Sequence, residues 1–232
     1  MWGYDFKIAK NIPSKSFEEH ARERRYEFFA SLKQKYGANY ILLAHHFDDR
    51  VETMLFNMLR GTKLRGLINM QEKSYDILRP LIWLQKKDLH NYFMKNDYTY
   101  YEDSTNDSND FTRNFIRNEI TAKFENVHPE YRRNIWKLLS YFEEVQRFID
   151  MQVEMFLWDS DVFQIVAFKE QDTFMQKEII RKIYFLRNNH GTIGLSEWNI
   201  AEILRFMGEK RGTGFKEIHN LKLKKEKGKI YF

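Results

Sequence analysis

The chain has 232 residues, 43% hydrophobic and 16% aromatic, enough apolar material for one large domain or two small ones. Thirty-eight Lys and Arg against 33 Asp and Glu give a formal net charge of +5, which suits a polyanionic partner such as nucleic acid and equally an ordinary globular protein. The lack of cysteine excludes disulfides and thiolate chemistry, no apolar run approaches the roughly 20 residues that span a bilayer, and the opening MWGYDFKIAK has no signal-peptide core; a cytoplasmic protein with no membrane association is expected.

In chain order, residues 16–36 carry Phe17, Ala21, Phe28, Leu32 and Tyr36 near helical spacing, with Ser16 as cap and Gly37 after the last turn, and predict a helix. Tyr40 to Ala44 is a short apolar run that fits a buried parallel strand, and the segment from Asp48 to Gly61 predicts a helix with carboxylates in its first turn. Helix, strand, helix is the grammar of an α/β sheet, whose ligands sit beyond the carboxyl ends of the strands, where AHHFDD falls. Residues 78–83, LRPLIW, predict a second short strand or extended piece, because Pro80 opposes a helix interior, and QKKDLHNYFMKND predicts an amphipathic helix. The stretch from Tyr98 runs from a strand-like aromatic segment through a polar loop into a helix from about Asp110. Beyond residue 126 the patterns are mostly helical up to about residue 210, and the tail from Gly214 alternates apolar and basic residues as a hairpin across Gly228. The expected organisation is an α/β domain over 1–126 and a mainly helical domain over 127–232.

Three groups of side chains invite chemistry. In AHHFDDRVET, Asp49 and Glu52 are three apart on one face of a helix start, with His45 just before them; the pair can hold an ammonium group or a hydrated cation, or simply complement the helix dipole. His45, His46, Asp48 and Asp49 could also serve a metal-dependent hydrolase, although neither His-x-x-x-His nor Glu-x-x-His spacing is present, and no metal site is assigned. Arg113 and Arg117, four apart, can project toward a phosphate or carboxylate, or decorate a solvated face; Arg22, Arg24, Arg25 and Arg79 pose the same alternative. The run EDSTNDSND lacks the glycine and glutamate of an EF-hand, so calcium is not expected.

Taken together and in order, ARERRYEFF, LLAHHFDDRVETMLFNMLRG, LRPLIWLQKKDL and YYEDSTNDSNDFTRNFIRNEI resemble the tRNA(Ile)-lysidine synthetases, members of the PP-loop ATP pyrophosphatases, over residues 18 to about 220. The resemblance implies a partial parallel-sheet PP-loop domain, like that of the adenine nucleotide alpha hydrolases, followed by a helical, tRNA-binding domain. It implies ATP with Mg2+ as cofactors, tRNA(Ile) and L-lysine as partners, and adenylation of the wobble cytidine followed by attack of the lysine amine. By resemblance Asp49 and Glu52 recognise lysine, with His45 and Asp48 lining the same site. Arg113 and Arg117 face the nucleotide, Asp49 and Arg113 take the catalytic roles, and Arg60, Arg79 and Asn114 match family motif positions on the nucleotide or tRNA side. Members of the family open with a Ser-Gly-Gly-x-Asp-Ser loop; the ten glycines here include no adjacent pair, so the chain is expected to be shortened at its start. A noncatalytic tRNA-binding remnant is the alternative. An exposed edge of such a sheet predicts self-association as a homodimer.

Overall fold

A computed structural model describes residues 17–99, 112–158, 160–188, 194–209 and 212–232. The first helix, α1 (Phe17–Tyr36), stops where the carbonyls of its last turn are closed off: Gly37 adopts φ 62°, the Gly37 amide donates to Gln34 (3.4 Å) and the Ala38 amide to Lys33 (3.0 Å). This is a Schellman stop, and a side chain on residue 37 would strain it. The polypeptide then enters β1 (Ile41–Leu42), which pairs parallel with β3 (Ile77–Leu78), while β2 (Lys73–Ser74) pairs antiparallel with β3, giving the order β1-β3-β2.

Two expectations shift here. The strand expected over 78–83 lies earlier, because Pro80 has no N–H to donate to a ladder and residues 79–84 instead turn, with Ile82 donating to the Arg79 carbonyl (3.2 Å) and Leu84 to Leu81 (2.9 Å). Its hairpin partner β2 is polar and two residues long, so periodicity carried no trace of it. The aromatic segment and polar loop between Tyr98 and the next helix fall largely on residues 100–111, outside the described residues.

Helix α2 (Phe47–Leu59) buries Phe47, Val51, Met54 and Leu55, the i, i+4, i+7 and i+8 stripe, against Ile116, Tyr131 and Leu139, and this cluster is the core of the first unit. A short α3 (Leu64–Leu67) follows, and α4 (Lys86–Lys95) begins with the Asp88 carboxylate accepting from the Gln85 amide (3.3 Å). The helix expected from Asp110 is observed from Thr112 as α5 (Thr112–Phe115), a π-helical segment (Ile116–Thr121) and α6 (Ala122–Val127). Such wide turns are rare and recur at functional sites.

The chain divides into two compact units, 1–139 and 140–232, and the division falls inside the long helix α7 (Tyr131–Leu157). The second unit holds α8 (Ile165–Glu170), α9 (Thr173–Arg187) and α10 (Glu197–Gly208). Beside them β4 (Val162–Gln164), β5 (Thr213–Ile218), β6 (Leu221–Glu226) and β7 (Lys229–Tyr231) form an antiparallel sheet in the order β4-β7-β6-β5. The tail thus contains the expected hairpin across Gly228 and a second one at His219–Asn220; Lys227 and Gly228 both have positive φ, the backbone of a two-residue turn whose twist matches its strands. Alternation in β6 buries Leu221, Leu223 and Lys225, and the buried Lys225 ammonium donates to the Glu209 carbonyl (2.5 Å) just past the end of α10.

Ile203 of α10 is fully buried in this unit. Truncation by Ile203→Ala is expected to cost about 2–5 kcal/mol, read as a lower urea midpoint with an unchanged slope.

Candidate active site

Helix α2 starts one residue earlier than the acidic pattern suggested, because His46 supplies its cap: the His46 ring Nδ1 accepts from the Asp49 amide (3.4 Å), and the His46 amide donates back to the Asp49 carboxylate (2.9 Å). This reciprocal pair fixes Asp49 in the first turn. Asp48 points the other way. Its Oδ2 accepts from the Lys86 amide at the start of α4 (2.7 Å) and its Oδ1 from the Arg132 Nε of α7 (2.8 Å). One carboxylate therefore ties together the positive ends of two helices and the first turn of a third.

The opposite side of the turn carries the tighter arrangement. Arg117, in the π-helical segment, donates through Nε to Glu52 Oε1 (2.7 Å) and through one terminal nitrogen to Glu52 Oε2 (2.8 Å), and that nitrogen also reaches Asp49 Oδ1 (3.4 Å). Glu52 is 5% exposed. Asp49 and Glu52 thus converge on a single guanidinium, as residues three apart on a helix can.

Burial pushes the Glu52 carboxyl above its ordinary value despite the hydrogen bond and charge of Arg117. The Glu52 hydrogen bond in turn holds the Arg117 guanidinium above its ordinary value, against its partial burial. Asp48 goes the other way. Burial raises it, but the Lys86 amide and the Arg132 guanidinium together outweigh burial, and its carboxyl lies below its ordinary value.

The remaining expected residues separate into those near this turn and those away from it. His45 lies three residues past β1 and Arg79 directly after β3, both beyond the carboxyl ends of parallel strands, and Arg79 Nε donates to His45 Nδ1 (3.2 Å). Arg79 also donates to the Gln71 carbonyl (2.9 Å) and is 5% exposed, so it is a buried strap between the segment before β2 and the loop after β1. Arg60 caps the far end of α2, exposed, with its guanidinium 5.1 Å from the Phe56 ring. Eleven residues from Asp49, about 16 Å along the helix, it does not join the carboxylates. Asn114 sits in α5, half-buried; the side chain of Arg113 lies outside the described residues.

Arg132 and Arg50 were not singled out from the sequence. Arg132 is 84 residues from Asp48, a separation no spacing rule reaches. Arg50 is fully buried beneath the indole of Trp83 (5.1 Å), which meets Trp136 edge-on with centroids 6.3 Å apart. Among the described residues, no group of three or more His, Asp or Glu side chains could hold a metal ion.

The parallel pairing of β1 with β3, with α2 starting beyond the carboxyl end of β1, is the arrangement of an α/β domain. Residues 4–124 match the family model described as a PP-loop domain, and the chain belongs to that family. Its relatives include tRNA(Ile)-lysidine synthases. That of Petrotoga mobilis is 32% identical over 213 residues, covering 90% of this chain and 64% of the relative. That of Thermotoga maritima is 31% identical over 182 residues, 77% of this chain and 44% of the relative, and that of Bacteroides thetaiotaomicron is 35% identical over 143 residues, 61% and 34%. The chain therefore spans less than two thirds of the length of these relatives. The family resemblance carried by the motifs and these similarities agree. No helix of the described residues is long and apolar enough to cross a membrane.

The shifted carboxylates make opposite contributions to stability. Asp48, depressed in the fold, stabilises above the unfolded carboxylate value near about pH 4 and loses that contribution as pH falls through its folded value. Glu52, raised in the fold, contributes below its unfolded value, and the contribution is lost as pH rises through the folded one. Asp48→Asn is expected to cost about 1–3 kcal/mol at neutral pH, because the charge-assisted hydrogen bond from Arg132 is lost, and the deficit should shrink below about pH 4. Urea unfolding of both proteins across a pH series reads this directly; a deficit that persists undiminished at low pH excludes the assignment.

Proposed function

We propose that this chain is the synthetase part of an enzyme that joins lysine to the wobble cytidine of tRNA(Ile) at the expense of ATP, forming lysidine. The observation that carries the reading is the convergence of Asp49 and buried Glu52 on one cation at the end of a parallel strand, in a chain whose relatives bear the name tRNA(Ile)-lysidine synthase. Charge and shape there suit an ammonium group: two carboxylates, one of them 5% exposed, attract a cation strongly and orient it through hydrogen bonds.

In this reading ATP is a substrate that adenylates the C2 oxygen of the cytidine, releasing pyrophosphate. The ε-amine of lysine then attacks C2, and AMP departs with the oxygen. The amine arrives as an ammonium ion, so it must lose a proton before attack, and Asp49, the more open of the paired carboxylates, is the acceptor within the site. His45, held by Arg79, borders the pocket, and Asp48, turned to Lys86 and Arg132, fixes the helix start that carries it. Arg113 and Asn114 are assigned to the nucleotide and tRNA side, and Arg60, at the far end of α2, has no part in the lysine pocket. Magnesium enters with the nucleotide, since such ions are held largely by phosphates and one or two carboxylates. The second, mainly helical unit, in a chain of net charge +5, serves the tRNA, chiefly through phosphates.

The protein carrying this chain is expected to incorporate labelled lysine into an isoleucine tRNA with a CAU anticodon when ATP and Mg2+ are present. Asp49→Ala and Glu52→Ala are each expected to raise the lysine concentration for half-maximal rate by about tenfold or more, equivalent to ~1.4 kcal/mol. An unchanged lysine dependence in both variants would remove the carboxylate assignment.

A further inference from the structure

The guanidinium of Arg117 stands where the lysine reading needs the substrate. Both oxygens of Glu52 are taken by Arg117 at 2.7 and 2.8 Å, and Glu52 is 5% exposed, so little of that carboxylate is presented to solvent. Asp49 shares the same guanidinium at the longer distance of 3.4 Å. Of the three side chains Arg117 is the most open, at 30%, against 21% for Asp49 and 6% for Glu52. It therefore covers the carboxylates rather than the reverse.

We infer that Arg117 is a built-in competitor for the substrate cation: its guanidinium fills the place between Asp49 and Glu52, and lysine entry and release of Arg117 are one event. The inference rests on the reading of Asp49 and Glu52 as the lysine-recognising pair. Holding an ammonium and a guanidinium side by side on the same carboxylates sets like charges within a few ångströms of each other, a cost that leaving removes. Buried Glu52 is covered at all times in this arrangement, by Arg117 before substrate and by lysine after it, which avoids an unpaired buried carboxylate. The freed guanidinium is then available to an anion, and the charge that guards the empty pocket becomes the charge that meets a phosphate once the pocket is full. Arg117 sits in the π-helical segment Ile116–Thr121, where one wide turn replaces an ordinary one and a change of register can carry the side chain away from α2.

Competition has a signature that a structural ion pair does not. Arg117→Gln removes the rival cation while keeping an amide that can donate to Glu52. By calorimetric titration with L-lysine, without tRNA, it is expected to bind lysine about fivefold tighter than the unaltered protein, because the pocket no longer has to be vacated first, while lysine transfer to tRNA falls. Lysine binding that is equal or weaker in Arg117→Gln overturns the inference and leaves the lysine reading standing. Absence of lysine binding to both proteins defeats the lysine reading itself, and the inference with it. Should Arg117→Gln not fold, the unaltered protein labelled with 15N-arginine serves. Its Arg117 Nε–H resonance, identified by its loss in Arg117→Lys, is expected to shift on lysine addition, and a resonance unmoved at saturating lysine overturns the inference.

Discussion

The first two turns of α2 place Asp48, Asp49 and Glu52 within five residues beyond the end of a strand, partly or wholly shielded from water, and the arrangement of the first unit follows from how those charges are met. The turn's own backbone amides answer part of the need, through the His46–Asp49 box and the helix dipole. The rest comes from elsewhere in the chain: Arg132 from α7, the Lys86 amide from α4 and Arg117 from the π-helical segment. Removing charge from water costs several kcal/mol per ion, so each partner has to be held in place with little freedom.

The apolar core does that holding. Phe47, Val51, Met54 and Leu55 of α2 pack on Ile116, next to Arg117, and on Tyr131, next to Arg132. Each arginine that reaches α2 is therefore adjacent in sequence to a residue locked in the core, and packing sets where the guanidinium groups fall. The result is a site whose polar groups satisfy one another before any ligand arrives. Arg117 binds Glu52 and Asp49, Arg79 binds His45, and Arg132 binds Asp48.

Much of this was legible before any coordinates. The α1 stop at Gly37, the acidic start of α2 and its stop at Gly61, the helix after Gln85 and the turn at Gly228 all rest on local rules of capping, periodicity and turn chemistry. The face shared by Asp49 and Glu52 follows from helical spacing. Less legible were β2 and the position of β3, because two-residue strands leave no periodic signal, and β4, which joins a sheet whose other strands lie at the opposite end of the unit's sequence. The wide turn at Ile116–Thr121 also has no local mark, and it changes what a spacing of four residues between Arg113 and Arg117 means, since that rule assumes 3.6 residues per turn.

By itself the amino-acid sequence determined which residues cap, which bury and which carry charge, and its motifs determined the family, because those properties depend on neighbours within a few positions or on a pattern kept along the chain. Tertiary structure alone decided the pairing: that Arg132 serves Asp48 across 84 residues, that Arg79 is occupied by His45 rather than open to solvent, and that Arg117 lies on the carboxylates. A charge chooses its partner by distance and desolvation in the folded state, and neither is written in sequence separation.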